Sequence, residues 1–332
     1  MYSPTLYENL EDKSYGALGN KYFKLFNVNI ARAITANTRF YIHLLNHRLN
    51  TYLKEKTGVV NSVLYNDTDS IYLSLNSVIE QFYQGEDDVI AKTEFLDKFI
   101  KEELDPVIEG GNSELSDILN ALEGEAIQAE REAIADVGVM LSKKKYYMRV
   151  FDLEGVRYSK DEPYMKKMGL EIIKSSTPKF VKDYLSQSIN TILDSDFDDM
   201  YNWLQAIKHK FTEEPVANIS KTTSVSKIDY NINDKGVPIN SRAAIAHNKY
   251  IESKPELAGK YTAINAGDKM KIVYLKPNNP IGENVVGFID DSFIELLREH
   301  IDYDTCWDKY MISPLNIMIN PLGWDMNKHT IS

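Results

Sequence analysis

The chain is 332 residues long, with 43% hydrophobic and 26% charged residues, so it has room for two or three units with their own cores. No apolar run approaches the roughly 18 residues that a membrane span needs, and residues 1–11 are polar and aromatic without the apolar stretch of a secretory signal. Cys306, the single cysteine, excludes an internal disulfide and any Cys-x-x-Cys metal site and makes a reducing cytoplasm the default, while a net charge of −11 argues against an indiscriminate nucleic-acid binder. Any DNA surface must therefore be a local basic strip.

The first informative run, Tyr15-Gly16-Ala17-Leu18-Gly19-Asn20, is a glycine-punctuated segment leading into a helix. Ile34, Ile42, Leu45, Leu49 and Leu53 recur at steps compatible with 3.6 residues per turn, which predicts one helix over residues 29–56, stopped by Gly58. His43 and His47 lie four apart on that helix, a spacing that suits a metal. A catalytic zinc normally takes three protein ligands, however, so ordinary helix histidines are expected.

Tyr65-Asn66-Asp67-Thr68-Asp69-Ser70 reads as the turn of a β-hairpin between strands at 62–65 and 69–75. Alternation of Ile71, Leu73 and Leu75 with Ser70, Tyr72 and Ser74 puts Asp69 at the head of the apolar face. A partly desolvated carboxylate with a second one two residues away is relieved by a cation, and magnesium takes one or two carboxylates with waters and phosphates. A solvated hairpin end built from ordinary turn residues is the other reading of the same run.

Residues 76–123 are acidic and helical in pattern, with Phe95, Phe99 and Leu104 as core positions, a solvated acidic face, and a break at Gly110-Gly111-Asn112. Lys143-Lys144-Lys145-Tyr146 is the basic strip that the acidic total demands, opening a strand through Phe151. Its lysines suit phosphates and the acceptors that every base pair shows in the minor groove, or else protect an edge strand. Thr177 and Pro178 predict a capped helix over 179–194 with Val181, Leu185, Ile189 and Ile192 inward, and its amino-terminal end, with Lys174 and Lys179 beside it, attracts anions. A second helix is predicted over 200–211, followed by a loop-rich region with a strand at 270–275.

Leu64-Tyr65-Asn66-Asp67-Thr68-Asp69-Ser70-Ile71-Tyr72 closely resembles motif C of the family B DNA polymerases, Y-G-D-T-D-S. Asn66 stands at the glycine position, and asparagine tolerates a left-handed turn, so the hairpin is expected to survive. Tyr15 to Asn20 resembles the end of motif B, N-S-x-Y-G-A-L-G-N, but Asp12 and Lys13 replace the Asn-Ser pair. Glu8 occupies the position of the triphosphate-holding lysine. Lys143 to Tyr146 resembles the K-K-R-Y primer-terminus motif with Lys145 in place of arginine, keeping charge but losing bidentate geometry. Similarity to the T-even bacteriophage polymerases extends to Glu132, in Glu-Arg-Glu-Ala-Ile-Ala, and to Lys174, then thins to Lys276-Pro277-Asn278-Asn279-Pro280-Ile281-Gly282 and Met311-Ile312-Ser313-Pro314-Leu315.

The resemblance implies an α+β fold: a leader and fingers remnant at 1–20, the distal part of a polymerase palm at 21–169, an antiparallel sheet with helices, and a mainly helical thumb with a small β part at 170–332. It implies that Asp69 and Asp67 are catalytic and hold Mg2+, two ions in the assembled site, with Glu132 as a weaker metal ligand. DNA is expected to meet Lys143, Lys144, Lys145, Tyr146 and Lys174, and the incoming nucleotide to meet Tyr15 and Thr68. No D-x-x-S-L-Y-P-S motif or exonuclease triad is recognisable, and two-metal phosphoryl transfer needs shared carboxylates holding ions roughly 4 Å apart, which Asp69 alone does not supply. The expectation is therefore the C-terminal subunit of a split DNA-directed DNA polymerase, working in the cytoplasm of an infected bacterium on primer-template DNA and dNTP. An N-terminal chain would carry the exonuclease and proximal palm, and residues 1–14 would be a leader acquired where a longer gene was interrupted. Sliding-clamp binding is in doubt, because the sequence stops at Ser332 without a Phe-rich terminal peptide. The competing classes are a non-catalytic DNA-binding or assembly fragment and an unrelated metal-dependent hydrolase acting alone.

Overall fold

Asn27 begins the first long element by local chemistry: its side-chain oxygen accepts from the N–H groups of Asn29 and Ile30 at 3.1 and 3.2 Å, satisfying two orphan donors of helix α1 (Val28–Thr57). Gly58, left-handed at φ 76°, closes the helix by donating to the Lys54 carbonyl. Tyr41, Ile42, Leu45, Leu49 and Leu53 form its buried stripe. The computed structural model describes residues 2–3, 16–121 and 129–327.

After α1 come strands β2 (Val63–Asp67) and β3 (Ser70–Leu73), then helices α2 (Asn76–Phe82), α3 (Val89–Phe99) and α4 (Asp105–Leu119). Among the described residues, these strands form a sheet of order β2-β3-β1-β4 with the short β1 (Tyr2–Ser3) and β4 (Glu130–Arg131). Asp88 caps α3, accepting from Ile90 and Ala91 N–H. A π-helical turn at Ile100–Leu104 joins α3 to α4, next to Pro106, which has no N–H to give to a regular ladder. Phe99 and Leu104 are in the core, and Phe95 packs against it.

The expected break at Gly110-Gly111-Asn112 does not occur, because both glycines lie inside α4. A Cβ on Gly111 would stand 2.6 Å from Leu45 Cδ2, and one on Gly110 would stand 2.5 Å from an Arg48 guanidinium nitrogen. Glycine serves close approach of α4 to α1 here, which outweighs its poor helix propensity.

The chain then forms β5 (Ala133–Ser142), β6 (Lys145–Leu153), β7 (Val156–Arg157) and β8 (Tyr164–Met168), with order β5-β6-β7 and β8 paired to β6. The remainder holds α5 (Lys179–Asp194), α6 (Phe197–Glu213), α7 (Val216–Ile219) and β9 (Lys221–Ser224), then α8 (Ile239–Glu252), α9 (Pro255–Ala258), β10 (Lys269–Tyr274), β11 (Val285–Phe288), α10 (Asp291–Glu295), α11 (Tyr303–Trp307) and α12 (Ser313–Ile319). Val181, Leu185, Ile189 and Ile192 are buried on α5, on the face their spacing predicts. Phe211 of α6 meets Phe180 and Trp307 edge-on at 5.4 and 5.2 Å. β9, β10 and β11 form an antiparallel sheet, and Met270 and Ile272 of β10 and Val285 of β11 pack with Ala243 and Ala244 of α8.

Two compact units divide the chain: Met1–Val139 with Tyr147–Lys166, and Met140–Tyr146 with Lys167–Ser332. Helices and antiparallel pairings in both are compatible with an α+β fold. Among the described residues no helix is long and apolar enough to cross a membrane.

Candidate functional site

Within the first unit, the acidic hairpin turns later than its sequence predicts. Asp67 pairs with Ser70 and Asn66 with Ile71, so Asn66 belongs to β2, and Thr68 and Asp69 form the connection. Thr68, not Asn66, takes the left-handed conformation, at φ 51°. The expectation that Asn66 is tolerated because it turns is therefore corrected: a strand position asks nothing special of it. The Asp69 N–H donates to the Asp67 carbonyl at 2.5 Å and draws the two carboxylate-bearing residues into one turn. Register slips between Val63 and Tyr65, so Leu64 is an extra residue that points into solvent. That bulge lets Val63 pair with Leu73 and Tyr65 with Tyr72, whose rings lie 5.3 Å apart.

Asp67 and Asp69 are each half-buried. The Thr68 hydroxyl donates to Asp67 Oδ1 at 3.1 Å and the Ser70 hydroxyl to Asp69 Oδ1 at 3.3 Å. Ile71 is in the core, with Leu73 packed against it, which anchors the turn. Ser70 and Tyr72 are buried as well, so the expected alternation of an apolar and an outward face is corrected, the strand being covered on both sides. An all-oxygen donor set of two carboxylates on a fixed turn fits a hard divalent cation such as Mg2+. Among the described residues no group of three or more His, Cys, Asp or Glu side chains converges to hold a metal, so neither the His43–His47 pair nor Glu132 completes such a group. Glu132 instead forms an ion pair with Lys166, and both side chains are largely buried. As a ligand it would first have to exchange that partner.

A buried ion network stands near Glu132 in sequence. Asp152, with no exposed side-chain surface, pairs with Arg131 and with Arg157 at 3.0 Å. Asp97 meets Arg131 at 3.0 Å, Arg157 at 2.7 Å and Lys101 at 2.9 Å. Burial pushes the Asp97 carboxyl up, but the Lys101 hydrogen bond and the charges of Arg131, Lys101 and Arg157 outweigh it and hold the group below its ordinary value. The network joins α3, β4, β6 and β7 and is a clasp rather than a site.

In the second unit the basic run forms the turn between β5 and β6. Lys143 and Lys144 are the turn residues and are exposed, Lys145 opens β6 half-buried, and Lys144 is left-handed at φ 60°. Tyr146, expected to meet DNA, is only 2% exposed and packs inward at the start of β6. Sequence reasoning passed over Gly169 as a residue with a role of its own. At φ 65° it backs onto this turn, and a Cβ there would collide with the Lys144 carbonyl and lie 2.9 Å from Lys145 Cγ. Positive φ next to a basic turn was the missed signal, and spacing alone does not carry it. Two residues earlier, Lys167 is half-buried, and burial lowers the pKa of its amine.

Lys174 is about half exposed and pairs with Glu171 at 2.5 Å. Thr177 does not cap α5 as expected, because the helix starts at Lys179 after Pro178 with no side-chain cap. The Thr177 hydroxyl donates to the Glu171 carbonyl at 2.6 Å instead, and the residue is buried. Pro178 holds the cap position, so Thr177 stands one residue outside it and its side chain is turned back to Glu171. Tyr15 lies outside the described residues.

No protein-family model matches the chain. It is similar to the DNA-directed DNA polymerase of Escherichia phage RB69, 29% identical over 334 residues that cover 95% of this chain and 36% of that protein. The DNA-directed DNA polymerase of Enterobacteria phage T4 is 27% identical over 340 residues, covering 94% of this chain and 36% of its own length. The chain thus spans about a third of the relatives it matches, an extent consistent with a C-terminal part.

Proposed function

We propose that this chain is the C-terminal portion of a family B, T-even-like DNA polymerase and serves nucleotidyl transfer on primer-template DNA in the cytoplasm of an infected bacterium. The observation that carries the reading is the Asp67-Thr68-Asp69 turn, two carboxylates fixed on a core-anchored hairpin, in a chain similar along nearly its whole length to two phage polymerases. In this reading residues 21–169 are the distal palm and residues 170–332 the thumb.

Asp69 and Asp67 would hold Mg2+, and Thr68 would lie beside the incoming nucleotide. Bound there, the metal supplies Lewis-acid polarisation of the phosphoryl oxygens and charge stabilisation during displacement. Lys143, Lys144, Lys145 and Lys174 neutralise backbone phosphates or donate to minor-groove acceptors, which holds the primer end without reading its sequence. Tyr146 acts through the turn as a positioning residue. Tyr15 is assigned to the nascent base pair from its motif.

A further carboxylate for the second ion, the triphosphate-binding groups and the exonuclease come, in this reading, from the part of the relatives that this chain does not span, carried by an N-terminal partner. Primer extension by the two parts together, with Mg2+, tests it. Asp69→Ala is expected to reduce extension to background, and the chain alone to give no turnover. Activity of Asp69→Ala equal to wild type would leave a non-catalytic DNA-binding or assembly role. Phosphodiester cleavage by the chain alone would favour a hydrolase.

A further inference from the structure

Residues 19–30 are exposed at every position. Their backbone is nonetheless organised by a chain of turns. Asn20 N–H donates to the Ala17 carbonyl at 3.1 Å, Phe23 N–H to Asn20 at 2.9 Å and Phe26 N–H to Phe23 at 3.0 Å, and Asn27 N–H closes the loop onto the Leu18 carbonyl at 3.0 Å. On this scaffold Tyr22 is 84% and Leu25 70% exposed, joined by Phe23, Phe26, Val28 and Ile30. The opening of α1 continues the surface. Between Val28 and Phe40 Ala31 alone is buried, Phe40 is exposed, and the core begins at Tyr41.

A run of large apolar side chains exposed to water is unusual, and contiguous patches of this kind mark interaction surfaces. The opening turns of α1 also lack the packed face from which helices in proteins draw most of their stability. Aromatic residues are those that interfaces enrich, and acidic residues are those they deplete. No Asp or Glu occurs between Asp12 and Glu55, in a chain of net charge −11, while Lys21, Lys24, Arg32 and Arg39 are all exposed. The exposed segment thus interleaves large apolar residues with cations and carries no acid.

We propose that residues 19–40 are the docking surface for a polypeptide face that is apolar with carboxylates around it, borne by the part of the phage polymerases that this chain does not span. This rests on the polymerase reading above, and on the fact that 36% of the length of either relative is covered here, so that on this reading most of the relatives' length is left to supply the partner face. DNA fits the absence of acids equally well but not the aliphatic residues. Leu25, Val28 and Ile30 give phosphates nothing, and apolar contact with base edges is confined to the thymine methyl.

The test uses the polypeptide of the same genome that aligns with the amino-terminal portions of the RB69 and T4 polymerases, titrated calorimetrically into this chain. The variant Tyr22→Ser/Leu25→Ser/Phe26→Ser is expected to bind at least 30-fold more weakly, with far-UV circular dichroism and Tm unchanged because the three side chains touch solvent. Phe40→Asp, at the far end of the exposed stretch, puts a carboxylate where the partner is expected to carry its own and is expected to weaken binding as well. Unchanged affinity in both variants overturns the proposal, and so does the absence of any such polypeptide. Wild-type dimers in sedimentation that the triple variant abolishes would assign the surface to a second copy. Tight, salt-sensitive binding of a 20-base-pair duplex that the triple variant abolishes would assign it to DNA, and either result overturns the proposal. A complex that depends on Leu25 and Phe26 yet extends no primer removes the polymerase reading and leaves the docking surface. Full extension by the triple variant at limiting concentration does the reverse.

Discussion

Gly169 and Lys144 are locked together: both are left-handed, at φ 65° and 60°, and the space a side chain on Gly169 would need is taken by the Lys144 carbonyl. The tip of the basic turn is therefore held from behind by a residue that must be glycine. Putting a Cβ there costs backbone strain and forces the Lys144 peptide to move. Gly169→Ala is expected to lower unfolding stability by about 1–3 kcal/mol in urea titration and to weaken DNA binding with it. A neutral Gly169→Ala would remove this account of the turn.

Lys144 separates the two demands on that turn. A lysine at φ 60° is strained, and glycine relieves about 1 kcal/mol, so Lys144→Gly is expected to hold or raise stability. On the polymerase reading its proposed contact with DNA is lost all the same. Affinity for a primer-template duplex should fall, and the slope of log affinity against log salt should shrink by about 0.9 for one phosphate contact. Parallel loss of stability and binding would mean that the charge has no work of its own.

Asp152 has no exposed side-chain surface and two guanidinium partners. Asp152→Ala leaves Arg131 and Arg157 with Asp97 as their remaining shared counter-charge, and a loss of roughly 1.5–3 kcal/mol for the charged hydrogen bonds is expected. Chemical denaturation checks it, and a change under 1 kcal/mol contradicts it.

Asp97 makes this clasp acid-sensitive. Its folded pKa is depressed, so its contribution is present above the unfolded carboxylate value of about 4 and is lost as pH falls through the lower folded value. Stability of the wild type should drop on acidification below about pH 4, and Asp97→Asn should flatten that part of the profile. An identical acid limb in the variant would place the sensitivity elsewhere.

Cys306 is fully buried, and burial pushes its thiol up to about 12. Iodoacetamide at pH 8 is expected to leave it unmodified in the folded chain and to alkylate it in urea. Rapid labelling of the native protein would contradict the packing around α11.

Much of the architecture follows from interactions between near neighbours in the chain. The 3.6-residue spacing of Ile42, Leu45, Leu49 and Leu53 and the glycine after them define α1, and the stripe from Val181 to Ile192 defines α5, because periodicity and end chemistry are local. The paired aspartates between two apolar runs likewise make a hairpin legible before any coordinates.

Tertiary packing decided the rest. Gly110 and Gly111 look like a break until α1 approaches closely enough to need them. Leu64 bulges and moves the turn to Thr68 because Tyr65 has Tyr72 to meet, and Thr177 gives its hydroxyl to Glu171 instead of a helix end. Tyr146 reads as a surface contact and lies inside, while Gly169 reads as nothing and holds Lys144. Residue spacing records energies between chain neighbours. Which distant backbone comes close enough to exclude a side chain is a property of the folded contacts, and no spacing along the chain encodes it.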